Sequence, residues 1–343
     1  MICIPIIANN LDDALHDMTE ASKVADIVEL RIDYIKGVDL KRLLEKRTKP
    51  VIVTNRPVRE GGKFNGSEEE RIALLKLAVQ LQADYVDIEH DSIQHLCRDT
   101  ELRVPTKIIV SYHNFRETPK DLTDIYKRLS QSGADIVKIV THANNITDNV
   151  RIYRLLQQSQ MTLISFCMGE LGIISRILYK RFGSYLTFAS LRTGNESAPG
   201  QISIHELLNT YQVREQDKHS AIYGLIGNPV SHSISPIIHN TLFKELNLNS
   251  IYVPFKVDNI GDFMKEFRGL DVKGYSVTIP HKESVVNHLD AIDPMAKKIG
   301  AVNTIVNRGG QLVGFNTDCE AAIKVLEGVN QVCSRGERPF APT

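Results

Sequence analysis

A lysine inside an apolar run is the residue of this 343-residue sequence that points most directly to chemistry. Lys138 lies in "GADIVKIVTHANN" (133–145), among β-branched residues typical of a buried strand. One interpretation is structural, because a charged side chain is seldom fully buried without a partner. The other is catalytic: burial and nearby arginines favour the neutral amine, which attacks a ketone and forms a Schiff base.

A Schiff-base reaction also needs a group that moves protons. His113 ends the run "TKIIVSYH" (106–113), and an imidazole serves as general base and general acid near neutral pH. Glu60 is a candidate to hold that ring in one tautomer. A histidine with only a structural role is the alternative. A lysine on the next predicted strand, expected to open onto the same site, favours the catalytic interpretation.

Arginines near these residues indicate an anionic substrate, because a planar guanidinium matches a carboxylate through two hydrogen bonds. Each arginine taken singly is equally compatible with a surface salt bridge. The residues themselves therefore predict a Schiff-base lyase or aldolase acting on a small carboxylated ketone, and they do not choose the substrate.

Eight short runs with strand character position these residues. Several are almost continuously apolar, as parallel strands buried on both faces are. The runs cover residues 2–8, 26–33, 50–56, 85–90, 106–113, 135–142, 162–168 and 185–191.

Helix-like segments lie between the strands. Residues 67–82 begin with a capping box of Ser67 and Glu70, and residues 118–133 begin with Thr118 as N-cap and Pro119 at the first helical position. Alternating strands and helices predict an α/β fold, a (β/α)₈ TIM barrel, with an open doubly wound sheet as the alternative.

Active sites of such barrels lie at the carboxyl ends of the strands. The predicted strands end with a set of polar side chains, and the loops after them add further ones. Those at the strand ends are Glu29, Arg31, Arg56, Glu89, His113 and Lys138, and the loops add Arg59, Glu60, Arg176 and residues 196–201.

A second α/β domain follows the barrel. Residues 1–210 form the predicted barrel domain, and the polar segment 211–220 is a predicted linker. Strand and helix patterns then resume over 221–328, including a hairpin over 303–316 that turns at Gly309–Gly310. Residues 329–343 lack this pattern and are an expected off-pattern tail.

Composition excludes several classes of protein. Lys+Arg and Asp+Glu both number 41, which argues against a general nucleic-acid binder. No apolar stretch approaches the roughly 20 residues of a membrane span, and "MICIPIIANNLDD" is not a signal peptide. Five scattered cysteines favour neither disulfides nor a zinc site, so we expect a cytoplasmic protein without a metal.

The motifs of the first 210 residues resemble those of type I 3-dehydroquinate dehydratase. They occur in the family's order and spacing: "ELRID", "TNRPVREGG", "DIEH", "SYHNF", "ADIVKIV", "MGELGIISR" and "ESAPGQ". The resemblance implies a cofactor-free lyase in which Lys138 forms the Schiff base with 3-dehydroquinate. His113, paired with Glu60, would remove the C2 proton and help water leave.

The resemblance also implies which residues hold the substrate, with Arg176 as the expected carboxylate partner. The implied set is Glu29, Arg31, Arg56, Arg176, Ser197 and Gln201. Ser197 and Gln201 would belong to a loop that closes over the ligand.

The second domain resembles the substrate-binding half of shikimate dehydrogenase through "GNPVSHSISPIIHN", "SVTIPHKE", "GAVNT" and "GFNTD". The alternative for "SHSISP" alone is a helix start capped by serine hydroxyls. The resemblance implies Lys282 and Asp318 as the catalytic pair. It implies shikimate contacts from Ser233, Ser235, Thr278, Lys282, Asn303 and Asp318.

One departure from the dehydrogenase pattern concerns the cofactor. An intact dehydrogenase would use NADP, held by a glycine-rich turn, but no two glycines of this sequence are separated by a single residue. We therefore expect a truncated or frame-shifted bifunctional protein whose NADP-binding domain is missing and whose dehydrogenase activity is absent.

Two further alternatives stay open at this point. A class I aldolase on the same barrel would also use Lys138 as its Schiff-base residue. The second domain would either bind shikimate or serve only as a packing partner. The expected partners are small-molecule substrates rather than nucleic acid or membrane, and the oligomeric state is left undetermined.

Overall fold

The computed structural model describes residues 1–97 and 105–334. The chain separates into two compact units. The first unit comprises Met1–Ser220 with Asn240–Asn249, and the second comprises Ala221–His239 with Ser250 onwards. Of the expected off-pattern tail 329–343, residues 335–343 lie outside the described residues, whereas 329–334 are helical and end the last described helix, so that part of the expectation is wrong.

The first unit is built on a curled sheet of parallel strands in the order β7-β6-β5-β4-β3-β2-β1-β8-β9. All eight predicted strands are present. Their bounds are β1 Ile2–Ile6, β2 Ile27–Arg31, β3 Val51–Thr54, β4 Tyr85–Glu89, β5 Lys107–Asn114, β6 Ile136–His142, β7 Leu163–Met168 and β8 Thr187–Ser190, followed by the short β9 Ile202–Ser203.

The sheet curls into a barrel because β8 pairs with β1, at Ile2 with Thr187. Between β7 and β8 the described backbone contact is a single hydrogen bond, from the Tyr185 N–H to the Leu163 carbonyl (2.9 Å). The rings of Phe166 and Phe188 pack across the same junction with centroids 5.7 Å apart. The predicted TIM-barrel class is confirmed as this parallel barrel-like sheet.

Helices follow the strands of the first unit, as predicted. Their bounds are α1 Leu11–Ser22, α2 Leu40–Glu45, α3 Glu68–Gln80, α4 Ile93–Cys97, α5 Leu122–Ser130, α6 Asp148–Gln158, α7 Ile173–Ile177, α8 Tyr179–Phe182 and α9 Ile204–Asn209. The capping box of α3 is formed by Ser67 and Glu70 as predicted.

The start predicted for α5 is wrong. The helix begins at Leu122 with Asp121 as its N-cap, four residues after Thr118. The Thr118 hydroxyl instead bonds the Thr141 hydroxyl (2.8 Å) and the His142 carbonyl (2.9 Å). A tertiary contact to β6 therefore takes the side chain that a local helix cap would use.

Alternation along the strands separates an apolar layer from a polar one. The first inward residues form a buried apolar cluster that includes Cys3, Ile27, Ile52, Ile109, Ile136, Ile164 and Leu186. Two residues further along, the strands carry Glu29, Thr54, Asp87, Ser111, Lys138, Phe166 and Phe188. The amino ends of the strands thus hold the core, and the carboxyl ends hold the polar groups.

The second unit has a mixed sheet in the order β11-β10-β12-β14-β15-β13. The predicted hairpin is β14–β15, joined at Gly309–Gly310. The strands are β10 Ala221–Gly227, β11 Ser250–Lys256, β12 Val272–Val277, β13 Ala291–Ile292, β14 Thr304–Arg308 and β15 Gln311–Phe315. The helices after β10 are α10 Ser235–Glu245, of which the residues from Asn240 belong to the first unit, α11 Ile260–Phe267, α12 Pro294–Ile299 and α13 Thr317–Ser334.

An aromatic cluster forms the core of the second unit. The Phe255 ring lies 5.3 Å from Phe263, 5.4 Å from Phe267 and 5.9 Å from Tyr275, measured between centroids. Phe263 and Phe267 lie one turn apart on α11, so this helix buries one face against β11 and β12.

The segment 211–220 connects α9 to β10 without a helix or strand of its own. It is nevertheless packed, because Tyr211 and Val213 are buried. Among the described residues, none of the helices combines the length and the apolar character that crossing a bilayer requires.

Candidate active site

A cavity opens at the carboxyl ends of the barrel strands. All nine candidate residues of the first unit line it, although they come from three strands, the segment after β3, helix α7 and the loop after β8. They are Glu29, Arg31, Arg56, Glu60, His113, Lys138, Arg176, Ser197 and Gln201. The structure therefore brings the nine candidate side chains to one cavity, and their roles stay predictions.

Lys138 both pairs with acids and faces the cavity. Its Nζ donates to Oδ2 of Asp87 at 2.8 Å and lies 3.7 Å from Oε1 of Glu29. The same nitrogen lies 4.5 Å from the centroid of the Phe188 ring, which covers it on another side. The structural and catalytic interpretations of Lys138 are thus compatible, since the amine is anchored by a carboxylate and open to a ligand.

Arg56 is the second anchor of this region. Its two terminal nitrogens donate to Asp87 (2.7 Å), to Ser111 Oγ (2.8 Å) and to the carboxylate of Glu89. Arg56 is 4% exposed, so it is a structural member of the site floor as well as a cavity-lining group.

The neighbouring cations stabilise the ionised form of the Asp87 carboxylate. Burial alone would raise its pKa, but Arg56 and Lys138 oppose burial and hold the pKa well below its usual range. Ser111 Oγ also donates to Oδ1 of Asp87 at 2.7 Å. Asp87 therefore stays charged and fixes both cations in place.

His113 and Glu60 form a direct pair, with 2.8 Å between Nδ1 and Oε2. Burial, with the nearby charges of Arg56 and Lys138, lowers the pKa of His113 well below its ordinary value. The imidazole is therefore neutral at physiological pH and ready to accept a proton. Its Nδ1 contact with Glu60 leaves Nε2 as the nitrogen available to a ligand.

The pKa of the Glu60 carboxyl is raised far above its ordinary value. Burial raises its pKa to about 8; Arg56 opposes the shift, and the neighbouring acids Glu89 and Asp87 add to it. Because Glu60 and His113 are in direct contact, they titrate as a pair, and in the tautomer with the ring proton on Nδ1 the Nε2 nitrogen is free to accept a proton.

Arg31 is held away from the floor by a forked contact to Asp33. Its Nε and Nη2 donate to the two carboxylate oxygens at 2.8 and 2.7 Å. The backbone N–H of Lys63 also donates to Asp33, and the guanidinium lies 4.9 Å from the centroid of the Tyr34 ring. This fixes the guanidinium at the rim of the cavity.

Arg176 is the cation with unused hydrogen-bond capacity. It is 1% exposed, stacks at 4.3 Å over the Phe166 ring, and its Nε and Nη2 are buried without a partner in the described structure. Desolvation lowers its pKa to about 10. A buried guanidinium with free donors is suited to an incoming carboxylate.

Ser197 and Gln201 form a small turn over the cavity. The Ser197 N–H and hydroxyl both donate to Oε1 of Gln201, at 2.7 and 3.1 Å. The Gln201 Nε2 is buried and has no partner among the described residues, which leaves a donor for a ligand.

Three functional positions were missed in the sequence: Asp87, Ser111 and Phe188. Asp87 and Lys138 share the same signal, a charged residue within an apolar strand run, so the aspartate of "YVDIEH" was detectable. Ser111 and Phe188 carry no comparable signal, because small polar and aromatic residues are common in strands.

The second unit brings Lys282, Asp318 and Asn303 together. Lys282 Nζ lies 2.5 Å from Oδ2 of Asp318, and this hydrogen bond lowers the Asp318 pKa, with a smaller contribution from Asn303. Asn303 also accepts the Thr317 N–H at 2.9 Å and so fixes the start of α13 beside Lys282.

The remaining candidates of the second unit lie near β10 and β12. Ser233 accepts the N–H of Ser235 at 3.2 Å, at the start of α10. Thr278 follows β12, and its N–H donates to Ile226 on β10 at 2.9 Å. The structure gives no direct contact joining Ser233, Ser235 or Thr278 to Lys282.

Metal ligation has no support in the described part of the chain. Within residues 1–97 and 105–334, no group of three or more His, Cys, Asp or Glu side chains is arranged to hold an ion.

Comparison with known proteins gives matches for both units. Residues 2–218 match the sequence model of type I 3-dehydroquinase, and residues 225–305 match that of the shikimate dehydrogenase substrate binding domain. The first match covers more than half of the chain.

Two curated relatives and one solved structure are similar to the chain. A bifunctional 3-dehydroquinate dehydratase/shikimate dehydrogenase, chloroplastic, of Arabidopsis thaliana is 42% identical over 95% of this chain, which spans only 56% of that protein. A 3-dehydroquinate dehydratase of Methanococcus maripaludis is 40% identical over 63% of this chain and its own full length.

The solved structure is a type I 3-dehydroquinate dehydratase of Clostridium difficile with covalent modified comenic acid. It is 30% identical, covers 62% of this chain and 91% of its own, and superposes with a TM-score of 0.55. Taken with the family matches, these similarities show that the chain belongs to the type I 3-dehydroquinase family and that this domain is fused to a shikimate dehydrogenase substrate-binding domain.

Proposed function

We propose that the first unit dehydrates 3-dehydroquinate to 3-dehydroshikimate through a Schiff base on Lys138. The observation that carries the proposal is that the Lys138 amine and the His113–Glu60 pair line one cavity beside an arginine with free donors. An amine, a proton-transfer group and an anion site are the parts that the reaction requires.

The covalent step begins with the neutral amine of Lys138. It attacks the C3 ketone carbon, the carbonyl oxygen leaves as water with one amine proton and one proton from solvent, and a C=N bond that keeps the second amine proton joins lysine to substrate as an iminium. The positively charged iminium withdraws electrons from the adjacent C2–H bond, which makes that proton acidic. The Clostridium difficile relative with covalent modified comenic acid supports covalent chemistry in this family.

Proton transfer is assigned to His113. Its neutral ring accepts the C2 proton, and the electron pair of that bond forms an enamine. The enamine expels the neighbouring hydroxyl, which leaves as water with the proton returned by His113, in a syn elimination. Water then hydrolyses the iminium, which releases the product and restores the Lys138 amine.

Substrate is held by the groups that retain capacity for a ligand. Arg176 would bind the carboxylate through the donors that the protein leaves unused, and Gln201 would contribute its free Nε2. Glu29, Arg31 and Arg56 would shape the polar floor and rim, while Ser197 belongs to the turn above them.

A class I aldolase is the enzymatic rival on the same lysine. Turnover of 3-dehydroquinate without cleavage of aldol substrates decides for the dehydratase, and the reverse result decides for the aldolase. The family match of residues 2–218 supports the dehydratase.

Borohydride reduction tests the Schiff base. The chain is incubated with 3-dehydroquinate, reduced, digested and analysed by peptide mass spectrometry. We expect a ligand-derived mass on Lys138, and none in Lys138→Ala. Lys107→Ala is the matched control, since Lys107 lies at the opposite end of neighbouring β5 and is exposed. Folded protein that turns over no dehydroquinate and forms no adduct contradicts the proposal.

For the second unit we propose shikimate binding at the end of the sheet that carries Lys282 and Asp318. The 2.5 Å contact between these side chains, with Asn303 adjacent, supports a polar site that orients a hydroxylated ring. Ser233, Ser235 and Thr278 would contribute hydroxyls. Calorimetric titration with shikimate tests this, and a folded protein that gives no heat would favour a packing role.

The residues of this chain do not fit an NADP site. A dinucleotide site needs a glycine-rich turn whose backbone approaches the pyrophosphate, and the sequence has no G-x-G. Gly227, at the end of β10, is closed by Thr278, whose Cγ2 would lie 2.4 Å from an added Cβ. We therefore propose that these 343 residues do not oxidise shikimate with NADP, and detection of that activity would refute it.

A further inference from the structure

Arg71 is a fully buried arginine on a helix rather than on a strand of the barrel-like sheet. It lies on α3, next to β3 and β4, and is 0% exposed. Its guanidinium donates to the Glu89 carboxylate, to the Asn55 carbonyl (3.1 Å) and to Glu68 (2.6 and 3.0 Å). A helix residue thus reaches the ends of two barrel strands.

The contacts of Arg71 continue to the candidate nucleophile. Glu89 bonds Arg71 through one carboxylate oxygen and Arg56 through the other. Arg56 bonds Asp87, which bonds Lys138. Each of these five residues is at most 4% exposed, so the whole series of contacts is shielded from solvent.

The formal charges of this buried group balance. Arg71, Arg56 and Lys138 supply three positive charges, and their fully buried partners Glu29, Asp87 and Glu89 supply three negative charges. Glu68 beside Arg71 and Glu60 beside Arg56 are more exposed and lie at the border of this group. In a buried region a missing charge is felt by the other ionisable groups, because solvent screens it weakly. Removal of Arg71 would leave one excess negative charge below the cavity.

We infer that Arg71 is a positioning residue for the dehydration: through Glu89 it fixes Arg56, and by its charge it helps Lys138 to release its proton. The inference rests on the proposed function of Lys138. Arg71 touches neither the cavity nor the amine, so it acts only through the side chains between them.

Other charged and titratable groups also surround Lys138, and they stay unchanged in the variants that replace Arg71 alone. They are Cys3 on β1, Glu29 and Arg31 on β2, Arg56 and Glu60 at β3, Asp87 and Glu89 on β4, His113 on β5 and Arg176 on α7. Arg71 is the residue changed first, because it neither lines the cavity nor contacts Lys138.

Competitive acylation of the full chain by acetic anhydride tests the inference without substrate. The measured quantity is the acylation midpoint, which is the pH at which Lys138 reacts at half its maximal rate. Peptide mass spectrometry gives the rate at Lys138 against pH, with exposed Lys107 as the internal reference. In Arg71→Gln we expect the midpoint for Lys138 to rise by roughly one pH unit, because excess negative charge favours the ammonium. At pH 7 kcat/KM falls about tenfold for the same reason.

Two variants separate charge from folding. Arg71→Lys keeps the charge, so its acylation midpoint stays at the wild-type value. The double variant Arg71→Gln/Glu89→Gln restores the balance of charges, so its midpoint returns toward the wild-type value. Arg128→Gln, an exposed arginine on α5, is the matched helix control and leaves the midpoint unchanged. Thermal unfolding confirms that each variant is folded.

An unchanged midpoint in folded Arg71→Gln, or an equal rise in Arg71→Lys, overturns the inference. If Arg71→Gln does not fold, the double variant decides, because a midpoint far from the wild-type value contradicts the charge argument. These outcomes are independent of the dehydratase proposal, which falls only if wild-type protein does not turn over dehydroquinate.

Discussion

Lys138 Nζ lies 2.8 Å from Oδ2 of Asp87, and Asp87 Oδ1 accepts a hydrogen bond from Arg56. One carboxylate therefore anchors both the candidate nucleophile and the guanidinium beside it. This arrangement explains how a lysine tolerates a barrel interior, and it sets the amine at one point of the cavity wall. A positioned nucleophile reacts faster because its translational freedom is already lost.

Replacement of Asp87 by asparagine tests this anchor. Asp87→Asn keeps the shape and removes the charge, so two buried cations lose their shared partner. We expect a loss of about 3 kcal/mol in the free energy of unfolding. The acylation midpoint of Lys138 should fall, opposite to the change in Arg71→Gln. Denaturant titration and acylation measure both.

Asp121→Asn is the matched control for Asp87→Asn. Asp121 is exposed, and its side chain makes no capping bond to α5. The control should leave both quantities at their wild-type values. A midpoint that stays constant or rises in Asp87→Asn would show that the carboxylate does not act on the amine.

Loss of His113 should slow proton transfer without preventing attachment of the substrate. In His113→Gln we expect kcat to fall by about 10²–10⁴-fold, while borohydride still traps the ligand on Lys138. His95→Gln, an exposed histidine on α4, should behave as wild type. Trapping that disappears together with turnover would place His113 at the attachment step instead.

The pKa of Glu60, raised by burial to about 8, has a consequence for stability. A carboxyl whose folded pKa exceeds its unfolded value of 4.5 stabilises the fold below pH 4.5 and loses that contribution as pH rises to about 8. Relative to Glu60→Gln, wild type should therefore become less stable across this window, on the order of 4 kcal/mol.

Chemical denaturation of both proteins between pH 4.5 and 8 measures this difference. Burial also raises the pKa of Glu206, which lies on α9 and does not line the cavity. Glu206→Gln therefore shows how the pH dependence of stability changes when a buried carboxyl outside the site is removed. A difference between wild type and Glu60→Gln that is flat with pH would mean that the carboxyl is ionised throughout.

The sequence predicts the site well where a residue contradicts its local pattern. Lys138 stands out because a charge interrupts an apolar strand, and strand alternation then places Glu29, Arg56 and His113 on the same interior face. The eight strands were predicted because several of the runs are almost continuously apolar and helix-like segments lie between them. Function-bearing residues at strand ends follow from the barrel itself.

Arg71 could not be found in this way. In "SEEERIALL" it follows three glutamates, which is the pattern of a solvated first turn with favourable charges at the helix N-terminus. Its burial depends on how α3 meets β3 and β4, which no local pattern encodes. Thr118 fails for the same reason, since a contact to β6 replaced the cap that its sequence suggests.

Arg176 is expected to lower the stability of the ligand-free protein and to strengthen substrate binding. Its guanidinium is buried with unused donors, which costs free energy until a carboxylate arrives. Arg176→Met, similar in length and apolar, should raise the free energy of unfolding by about 1–2 kcal/mol. The KM for dehydroquinate should rise roughly 100-fold, as expected for loss of a charged hydrogen-bonding partner.

Thermal unfolding and steady-state kinetics test both effects of Arg176→Met. Arg181→Met, the arginine on neighbouring α8, is the control and should not change KM. An Arg176→Met protein that is less stable but binds substrate normally would assign Arg176 a structural role.

The two units should respond independently to substitution at the second candidate site. Lys282 and Asp318 have side chains 35% and 60% exposed, so their ion pair contributes little to stability. Lys282→Met should therefore keep the melting temperature and the dehydratase kinetics, while the heat of shikimate binding is reduced at least tenfold at fixed concentration. Lys273→Met, whose ion pair with Asp271 is similarly exposed, should leave shikimate binding intact. Equal binding by both variants would move the shikimate site away from Lys282.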